Sequence, residues 1–316
     1  MGILRFFNTI RQFYYTKDCV EIINKPINVK YFFIDFNSII HPSKDKVLTN
    51  LNNEFEHILI KNNVTDIDKI KYEQHKLLKN INIKIQHATM IKVKHIIKTA
   101  IIKLDTLYIA IDGTPSVAKM LEQKKRRFMG KLSEYIEREL IEKYKKELEI
   151  QSTKLKYNNR YLFEKYKIRW SSSHISPGTK FMIDFGNNLK SATFINEYVL
   201  PDNYIYSNFT SVGEGEKKII NYIIKNIPTE DVMIYSPDAD VILLGMLLPN
   251  KNVYIILDDY RSDNLLKINI NKLKNNLYNL FKKYYTGSKK NHINDFIRDL
   301  VFLLTLFGDD FVPALE

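Results

Sequence analysis

The sequence predicts a mixed α/β fold in which a central, mostly parallel sheet is flanked by helices. Short apolar runs rich in β-branched and aromatic residues recur along the chain without polar alternation, as buried parallel strands do. Stretches with helical composition lie between them, and strands that alternate with helices favour a parallel sheet. The chain has 316 residues, of which 45% are hydrophobic and 27% charged, so it can bury a sizeable core.

Four strands are predicted from these apolar runs. They cover Tyr31 to Phe36, Leu107 to Ile111, Asp231 to Tyr235 and Val253 to Leu257. In open α/β sheets, ligands bind beyond the carboxyl ends of the strands. Most acidic motifs of this chain follow such ends, so we expect the functional site there.

Two segments are predicted as helices. Val117 to Glu149 is rich in Lys, Glu, Leu and Arg and contains no proline, which predicts one long helix. Apolar residues recur at helical spacing from Ile293 to Leu304, which predicts an amphipathic helix that Gly308 ends. The polar stretch Leu48 to Ile83 and the segment around Tyr157 to Ser173 are interpreted as insertions or surface loops. No linker or repeat divides the chain, so residues 1–316 are expected to form a single domain.

The charge and cysteine content restrict the class of protein. A formal net charge of +12 favours a polyanionic partner such as nucleic acid or an anionic membrane surface. The abundance of Lys, Ile and Asn also fits an AT-rich coding sequence, in which case the charge has no functional meaning. Cys19 is the single cysteine, which excludes a disulfide framework and suits a reducing compartment. No apolar run is long enough to span a bilayer, so a cytoplasmic protein is expected, with a nuclear one as the alternative.

Acidic residues are concentrated in short motifs. Two of them are dense: Glu214 and Glu216 in GEGE, and Asp238 and Asp240 in DAD. Like charges two residues apart repel each other and require a counter-charge. An ionised carboxylate within an apolar run, as at Asp35 in YFFIDF, is costly unless it is paired or bound to a cation. A single Asp after a strand or helix is also explained as a cap or turn residue.

Taken together, the acids predict a site for two Mg²⁺ or Mn²⁺ ions. Hard cations prefer oxygen ligands, and no His/Cys cluster in the sequence offers a zinc site. Paired ions about 3.5 to 4 Å apart are typical of metal-dependent phosphodiesterases. The candidate metal ligands and catalytic residues are Asp35, Asp112, Glu214, Glu216, Asp238, Asp240 and Asp310.

A basic face follows Asp112 on the predicted long helix. Lys119, Gln123, Arg126 and Arg127 stand at i, i+4, i+7 and i+8, so they share one face. Such a set suits a terminal phosphate monoester and would read the 5′ end of a strand. The alternatives are a solvated charged face or a nuclear-localisation-like run. His41 fits either base stacking or phosphate contact, or the role of an ordinary packed residue.

Eight segments resemble, in the same order, those of the Xrn-type 5′→3′ exoribonucleases. The resemblance extends from Met1 to Pro313. The segments are MGILRFF, YFFIDFNSIIH, LYIAIDG, AKMLEQKKRRF, ISPGTKFM, VGEGEKKI, YSPDADVILLG and LFGDDFVP.

The resemblance implies a PIN-like or flap-nuclease-like catalytic domain. It implies stepwise hydrolysis of single-stranded RNA that bears a 5′ monophosphate, with release of nucleoside 5′-monophosphates. The family's metal ligands fall on the seven acids named above. Its 5′-phosphate pocket falls on Lys119, Gln123, Arg126 and Arg127, and its base-stacking histidine on His41.

The sequence departs from the family pattern at several positions. The loop after Asp112 reads GTPSVAK, and Lys217 stands where the family usually has histidine. The family continues into a second conserved region, which is expected to be absent after Glu316. None of these departures removes a predicted metal ligand. Two alternatives remain open: a flap-type, structure-specific DNA nuclease, and a non-catalytic RNA-binding protein.

Overall fold

The computed structural model shows strands alternating with helices along the chain. It describes residues 12, 19–61, 64–154, 160–190, 201–250, 252–259, 262, 264–286 and 292–306. These residues form two compact units. The first takes its residues from the ranges Met1–Ile39, Lys92–Lys119 and Ile183–Glu316, and the second from Ile40–Ile91 and Met120–Met182.

The first unit contains a seven-stranded sheet. Its strands are β1 (Val20–Ile22), β2 (Tyr31–Asp35), β3 (Thr106–Ala110), β4 (Asn203–Ser207), β5 (Val232–Tyr235), β6 (Val253–Asp258) and β7 (Leu265–Asn269). Their order across the sheet is β1-β7-β6-β5-β2-β3-β4. The pairings from β6 to β4 are parallel, whereas β1 and β7 are antiparallel to their neighbours. The prediction of an α/β fold with a mostly parallel sheet is confirmed.

All four predicted strands are present, and each of their ends lies within about one residue of the predicted position. Strands β1, β4 and β7 were not predicted. Strands β1 and β4 are the two edges of the sheet, where side chains are less buried and the apolar signal is weak. Strand β7 contains Lys267 between apolar neighbours, so it lacks the continuous apolar run used to find the others.

Helices flank the sheet in the first unit and make up most of the second unit. They are α1 (Asn37–Lys61), α2 (Ile67–Leu78), α3 (Ile81–Ala100), α4 (Val117–Lys143), α5 (Lys145–Lys154), α6 (Arg160–Tyr166), α7 (Lys180–Leu189), α8 (Gly215–Asn226), α9 (Ala239–Leu247), α10 (Ile270–Tyr284) and α11 (Ile293–Thr305), with a 3₁₀ turn at Ser172–Ile175. The amphipathic terminal helix is confirmed as α11. Gly308, its predicted end, lies outside the described residues.

The single long helix predicted for Val117 to Glu149 is wrong in its extent. Helix α4 ends at Lys143, and α5 starts at Lys145. Helical hydrogen bonds run on both sides of the break, from Tyr144 N to Leu140 O and from Leu148 N to Tyr144 O. Helix α6 contacts α4 next to the break, where Glu142 accepts a hydrogen bond from the Tyr161 hydroxyl. Neither glycine nor proline marks the boundary, so composition could not locate it.

Of the two interpretations for Leu48 to Ile83 and the segment around Tyr157 to Ser173, surface loops are wrong for the described residues, and insertions stay a prediction. These stretches contain parts of α1 and α3 and all of α2 and α6. Among their Asn and Lys residues are apolar residues at helical spacing, such as Leu51, Phe55 and Leu59 of α1. Those residues form the core of the second unit, where Phe55 and Phe163 meet at a centroid distance of 6.2 Å.

Aromatic packing fixes α8 on the centre of the sheet in the first unit. The Tyr222 ring of α8 lies 4.7 Å from that of Tyr108 on β3 and 6.1 Å from that of Phe33 on β2. Such contacts add to the apolar area that each ring buries. Helix α8 starts at the GEGE motif, so this packing also positions two of the predicted acids.

No helix among the described residues combines the length and apolar character that crossing a membrane requires.

Candidate active site

Six of the seven predicted acids lie at the carboxyl edge of four adjacent strands, in the order β5-β2-β3-β4. Asp35 is the last residue of β2, and Asp112 follows the end of β3. Glu214 and Glu216 begin helix α8, which follows β4 along the chain. The remaining two, Asp238 and Asp240, begin α9 directly after β5. The seventh acid, Asp310, lies outside the described residues.

Gly215 lies where two of these carboxylates converge. Its N–H donates a 2.7 Å hydrogen bond to Asp112 Oδ1. A Cβ atom added to Gly215 would lie 2.9 Å from Asp35 Oδ1 and 3.3 Å from Asp112 Oδ1. Because glycine lacks that atom, the two acids can approach the start of α8.

Two neutral side chains orient the acids. The Ser236 hydroxyl donates to Asp35 Oδ2 at 3.2 Å and accepts from Asp238 N at 3.4 Å. The Asn37 side-chain oxygen accepts from Asp112 N at 3.2 Å. Sequence reasoning missed both residues. Their only signal is their position within the IDFNS and SPDAD segments.

Burial and mutual repulsion raise the pKa values of three acids. The pKa of Asp35 lies well above its usual value, first because the group is buried and then because Asp112, Asp238 and Glu216 are close. Burial and Glu214 also raise the pKa of Asp112, against the hydrogen bond from Gly215. Burial, followed by Asp238 and Glu214, raises the pKa of Glu216 to about 8. Simultaneous ionisation of these three acids is therefore unfavourable in the metal-free site.

Two buried lysines lie among the acids. Lys119 Nζ is 2.9 Å from Glu214 Oε1, and both side chains are buried. Lys218 is also buried and supports the ionised form of Asp112. Burial lowers the pKa of Lys218 to about 8. Sequence reasoning assigned Lys119 to phosphate binding and did not single out Lys218.

The donor chemistry of the site suits a hard divalent cation. The acids offer carboxylate oxygens, and their mutual repulsion is what a bound cation would relieve. Within the described ranges, however, no three or more His, Cys, Asp and Glu side chains are already arranged to hold an ion. Asp310 lies outside these ranges. The metal-binding role of the acids stays a prediction.

The four predicted phosphate-binding residues all lie on helix α4. Lys119 belongs to the first unit, and Gln123, Arg126 and Arg127 belong to the second. Within the second unit, Arg126 pairs with Glu122, and the Arg127 guanidinium donates to Ser176 Oγ at 2.9 Å. His41, also in the second unit, is exposed on α1. Their roles in substrate binding stay predictions.

Comparisons with known proteins agree with the sequence resemblance. The family described as "XRN 5'-3' exonuclease N-terminus" matches residues 1–259. A protein of Acanthamoeba polyphaga mimivirus named "Putative 5'-3' exonuclease R528" is 42% identical over 192 residues, which are 56% of this chain and 31% of that protein. The "5'-3' exoribonuclease 2" of Kluyveromyces lactis is 32% identical over 171 residues, 51% of this chain and 17% of that protein. That of Yarrowia lipolytica is 28% identical over 240 residues, 66% of this chain and 24% of that protein.

The fold is a PIN-like α/β domain with acids at the carboxyl edge of its sheet. The chain belongs to the XRN 5'-3' exonuclease N-terminus family. It spans less than a third of the length of these curated relatives.

Proposed function

We propose that this chain is the catalytic region of a 5′→3′ exoribonuclease that depends on Mg²⁺ or Mn²⁺. The observation that carries the proposal is the collection of six acids at the ends of four adjacent parallel strands. Family membership and the names of the relatives support exonuclease chemistry on RNA. The proposed products are nucleoside 5′-monophosphates.

The acids would hold two divalent ions and thereby fix the position of the first phosphodiester. Bound ions would supply Lewis-acid stabilisation of the charge that develops on that phosphate. Ser236 and Asn37 hold the carboxylate and backbone groups of Asp35 and Asp112 in fixed orientations. Preorganised groups of this kind do not have to rearrange during the reaction.

Helix α4 would bind the 5′ end of the RNA. The guanidiniums of Arg126 and Arg127 can each present two N–H groups to phosphate oxygens, and Lys119 and Gln123 add an ammonium and an amide. A terminal monophosphate presents negatively charged oxygens to these groups, and a 5′ hydroxyl has none. His41 would stack on a nearby base.

The acid site is tested by substituting Asp238, whose side chain forms no cap hydrogen bond with helix α9. Asp238→Asn is expected to lower the rate of hydrolysis of 5′-monophosphorylated RNA by roughly a hundredfold or more, with folding retained. Asp184→Asn, an exposed position on α7, is the matched control and is expected to act as wild type. Full activity of Asp238→Asn, or wild-type activity in EDTA, would contradict the proposal.

The end-binding role is tested with RNAs that carry a 5′ monophosphate, triphosphate or hydroxyl. Wild type is expected to prefer the monophosphate. Arg127→Lys removes the planar fork and is expected to raise KM for that RNA about tenfold. The control is Arg138→Lys, an exposed position on the same helix. Equal rates on all three RNAs would contradict the proposed 5′-phosphate pocket.

The same assays separate the two alternative functions. Faster cleavage of a DNA flap than of single-stranded RNA would indicate a structure-specific DNA nuclease. Tight RNA binding that is insensitive to EDTA and without turnover would indicate a binding protein.

A further inference from the structure

Lys218 is a buried lysine whose ammonium group contacts backbone carbonyls. It lies in the first turns of α8, two residues after Glu216, and is 8% exposed. Its Nζ donates to Ile111 O at 2.7 Å and to Asn208 O at 2.8 Å. An ammonium has three donors and no acceptor, so two carbonyl oxygens are suitable partners.

The two carbonyls mark the ends of neighbouring strands. Ile111 N bonds to Ser207 O and so extends the pairing of β3 with β4 by one step. The carbonyls that Lys218 contacts lie just beyond that bond, where the strands turn into loops. Charge-assisted hydrogen bonds are stronger than neutral ones. Lys218 therefore joins the β3 and β4 loops at their base.

A second set of contacts joins the same loops further out. Gly113 N donates to Gly213 O at 2.9 Å, and Gly213 N donates to Thr114 O at 2.9 Å. A Cβ atom at Gly113 would lie 1.8 Å from Ser211 O, so the two backbones are in direct contact there. Gly213 adopts a φ of +103°, which favours glycine. The loop that carries Asp112 is thus tied to the loop that leads to Glu214.

We propose that Lys218 is a positioning residue that holds the β3 and β4 loops together and thereby fixes Asp112 and Glu214 relative to each other. The inference rests on the proposed function of these acids as metal ligands. Among the described residues, Lys218 forms no hydrogen bond with the carboxylate of Asp112 or of Glu214. Its bonds go to the backbone beside them, as in metal sites where outer groups orient the ligands.

Hydrogen exchange of the metal-free protein tests the connection between the loops directly. Lys218→Met keeps an unbranched side chain that is one atom shorter and removes its donors. The amides of Gly113, Gly213 and Gly215 are expected to exchange about tenfold faster in this variant. Lys225→Met, an exposed position on the same helix, is the matched control and is expected to leave these rates unchanged. Unchanged exchange in Lys218→Met would overturn the proposal. If that variant does not fold, Lys218→Leu, which also lacks a donor, is measured in its place with the same criterion.

Mn²⁺ titration tests the consequence for the acids. The Lys218→Met variant is expected to bind Mn²⁺ about ten- to a hundredfold more weakly than wild type. Its kcat on 5′-monophosphorylated RNA is expected to fall and to recover as Mn²⁺ is raised, with KM for RNA unchanged. Tighter Mn²⁺ binding would overturn the proposal, because it would show that the lysine acts by repelling the cation. If wild type neither binds Mn²⁺ nor cleaves RNA, the proposed function fails, and the exchange rates still decide whether Lys218 holds the loops.

Discussion

At the scale of single residues, the site depends on a glycine as much as on its acids. Gly215 is the first residue of α8 and lies against the carboxylates of Asp35 and Asp112. Any side chain at this position would have to displace one of them. The distance between the carboxylates of Asp35 and Asp112 therefore depends on the absence of a Cβ atom at Gly215.

Gly215→Ala is expected to separate the acids and lower nuclease activity about a hundredfold. The added Cβ would meet Asp35 Oδ1 at 2.9 Å and the backbone oxygen of Ala110 at 3.2 Å. Displacements of about an ångström in an active site can lower rates by that factor, and overpacking costs about 1 to 3 kcal/mol of stability. Activity and the free energy of unfolding are measured on the same preparation.

Gly130→Ala is the matched control for this substitution. A Cβ atom at Gly130, inside α4, would meet nothing within 4 Å. The change is expected to raise stability by about 0.5 to 1 kcal/mol, because alanine has the higher helix propensity, and to leave activity unchanged. Wild-type activity and stability of Gly215→Ala would show that the site tolerates the extra atom.

Sequence reasoning identified the acids but not the residues that support them. Asp35, Asp112 and the two dense motifs are recognisable because a charge stands in an apolar context. Lys218 cannot be recognised in this way, because its hydrogen-bond acceptor is the backbone oxygen of Ile111, which is 107 residues away in the sequence. The same holds for Ser236, whose hydroxyl reaches Asp35 across 201 residues. Such contacts exist only once the strands are paired.

At the scale of secondary-structure elements, helix α2 of the second unit carries its own start signal. Asp66 precedes α2 in an extended conformation, and its Oδ1 accepts from Asp68 N at 2.8 Å and Lys69 N at 3.0 Å. This is an N-cap within a stretch that composition assigned to an insertion or a surface loop. Local hydrogen bonding therefore favours a helix where overall polarity argued against one.

Asp66→Ala is expected to lower the free energy of unfolding by about 1 kcal/mol, because two backbone N–H groups lose their acceptor. The control is Asp68→Ala, whose side chain is 96% exposed and 4.0 Å from Lys71 Nζ. An exposed pair of this kind contributes about 0.5 kcal/mol or less. Chemical denaturation of both variants measures the difference. Equal losses would mean that the cap bonds do not stabilise α2.

At the scale of the whole molecule, the chain combines a net charge of +12 with a cluster of acids, three of which are buried. An excess of positive charge attracts a polyanion over a distance. Asp35, Glu214 and Glu216 are buried in the sheet unit, whereas Asp238 is exposed at the same edge of the sheet. The overall charge was evident from composition, whereas the concentration of negative charge at one edge of the sheet required the strand order.

The stability of the metal-free protein is expected to fall between about pH 4.5 and 8. Glu216 has an ordinary pKa of 4.5 and a folded pKa of about 8. Below 4.5 the group is protonated in both states, so its burial is not opposed by charge. As pH rises, the unfolded chain loses this proton before the folded one does, and the stability lost by pH 8 is on the order of 4 kcal/mol.

Urea denaturation in EDTA at pH 5, 6.5 and 8 measures this loss. The Glu216→Gln variant is expected to show a shallower slope, because its side chain does not titrate. Adding Mg²⁺ at pH 8 is expected to restore stability in wild type, since a ligand that binds only the folded state stabilises it. A stability that rises from pH 5 to pH 8 without metal would contradict the assignment.

The pairing of β1 with β7 has a consequence for the order of folding. Val20 lies opposite Ile268, so β1, the first of the described strands along the chain, pairs with β7, the last of them. On a ribosome that adds roughly 5 to 20 residues per second, β1 leaves the tunnel ten seconds or more before its partner is made. During that time the parallel strands between them can assemble. Closure of this edge is therefore a late event, and a chain interrupted before Leu265 would expose β1 to pairing with other molecules.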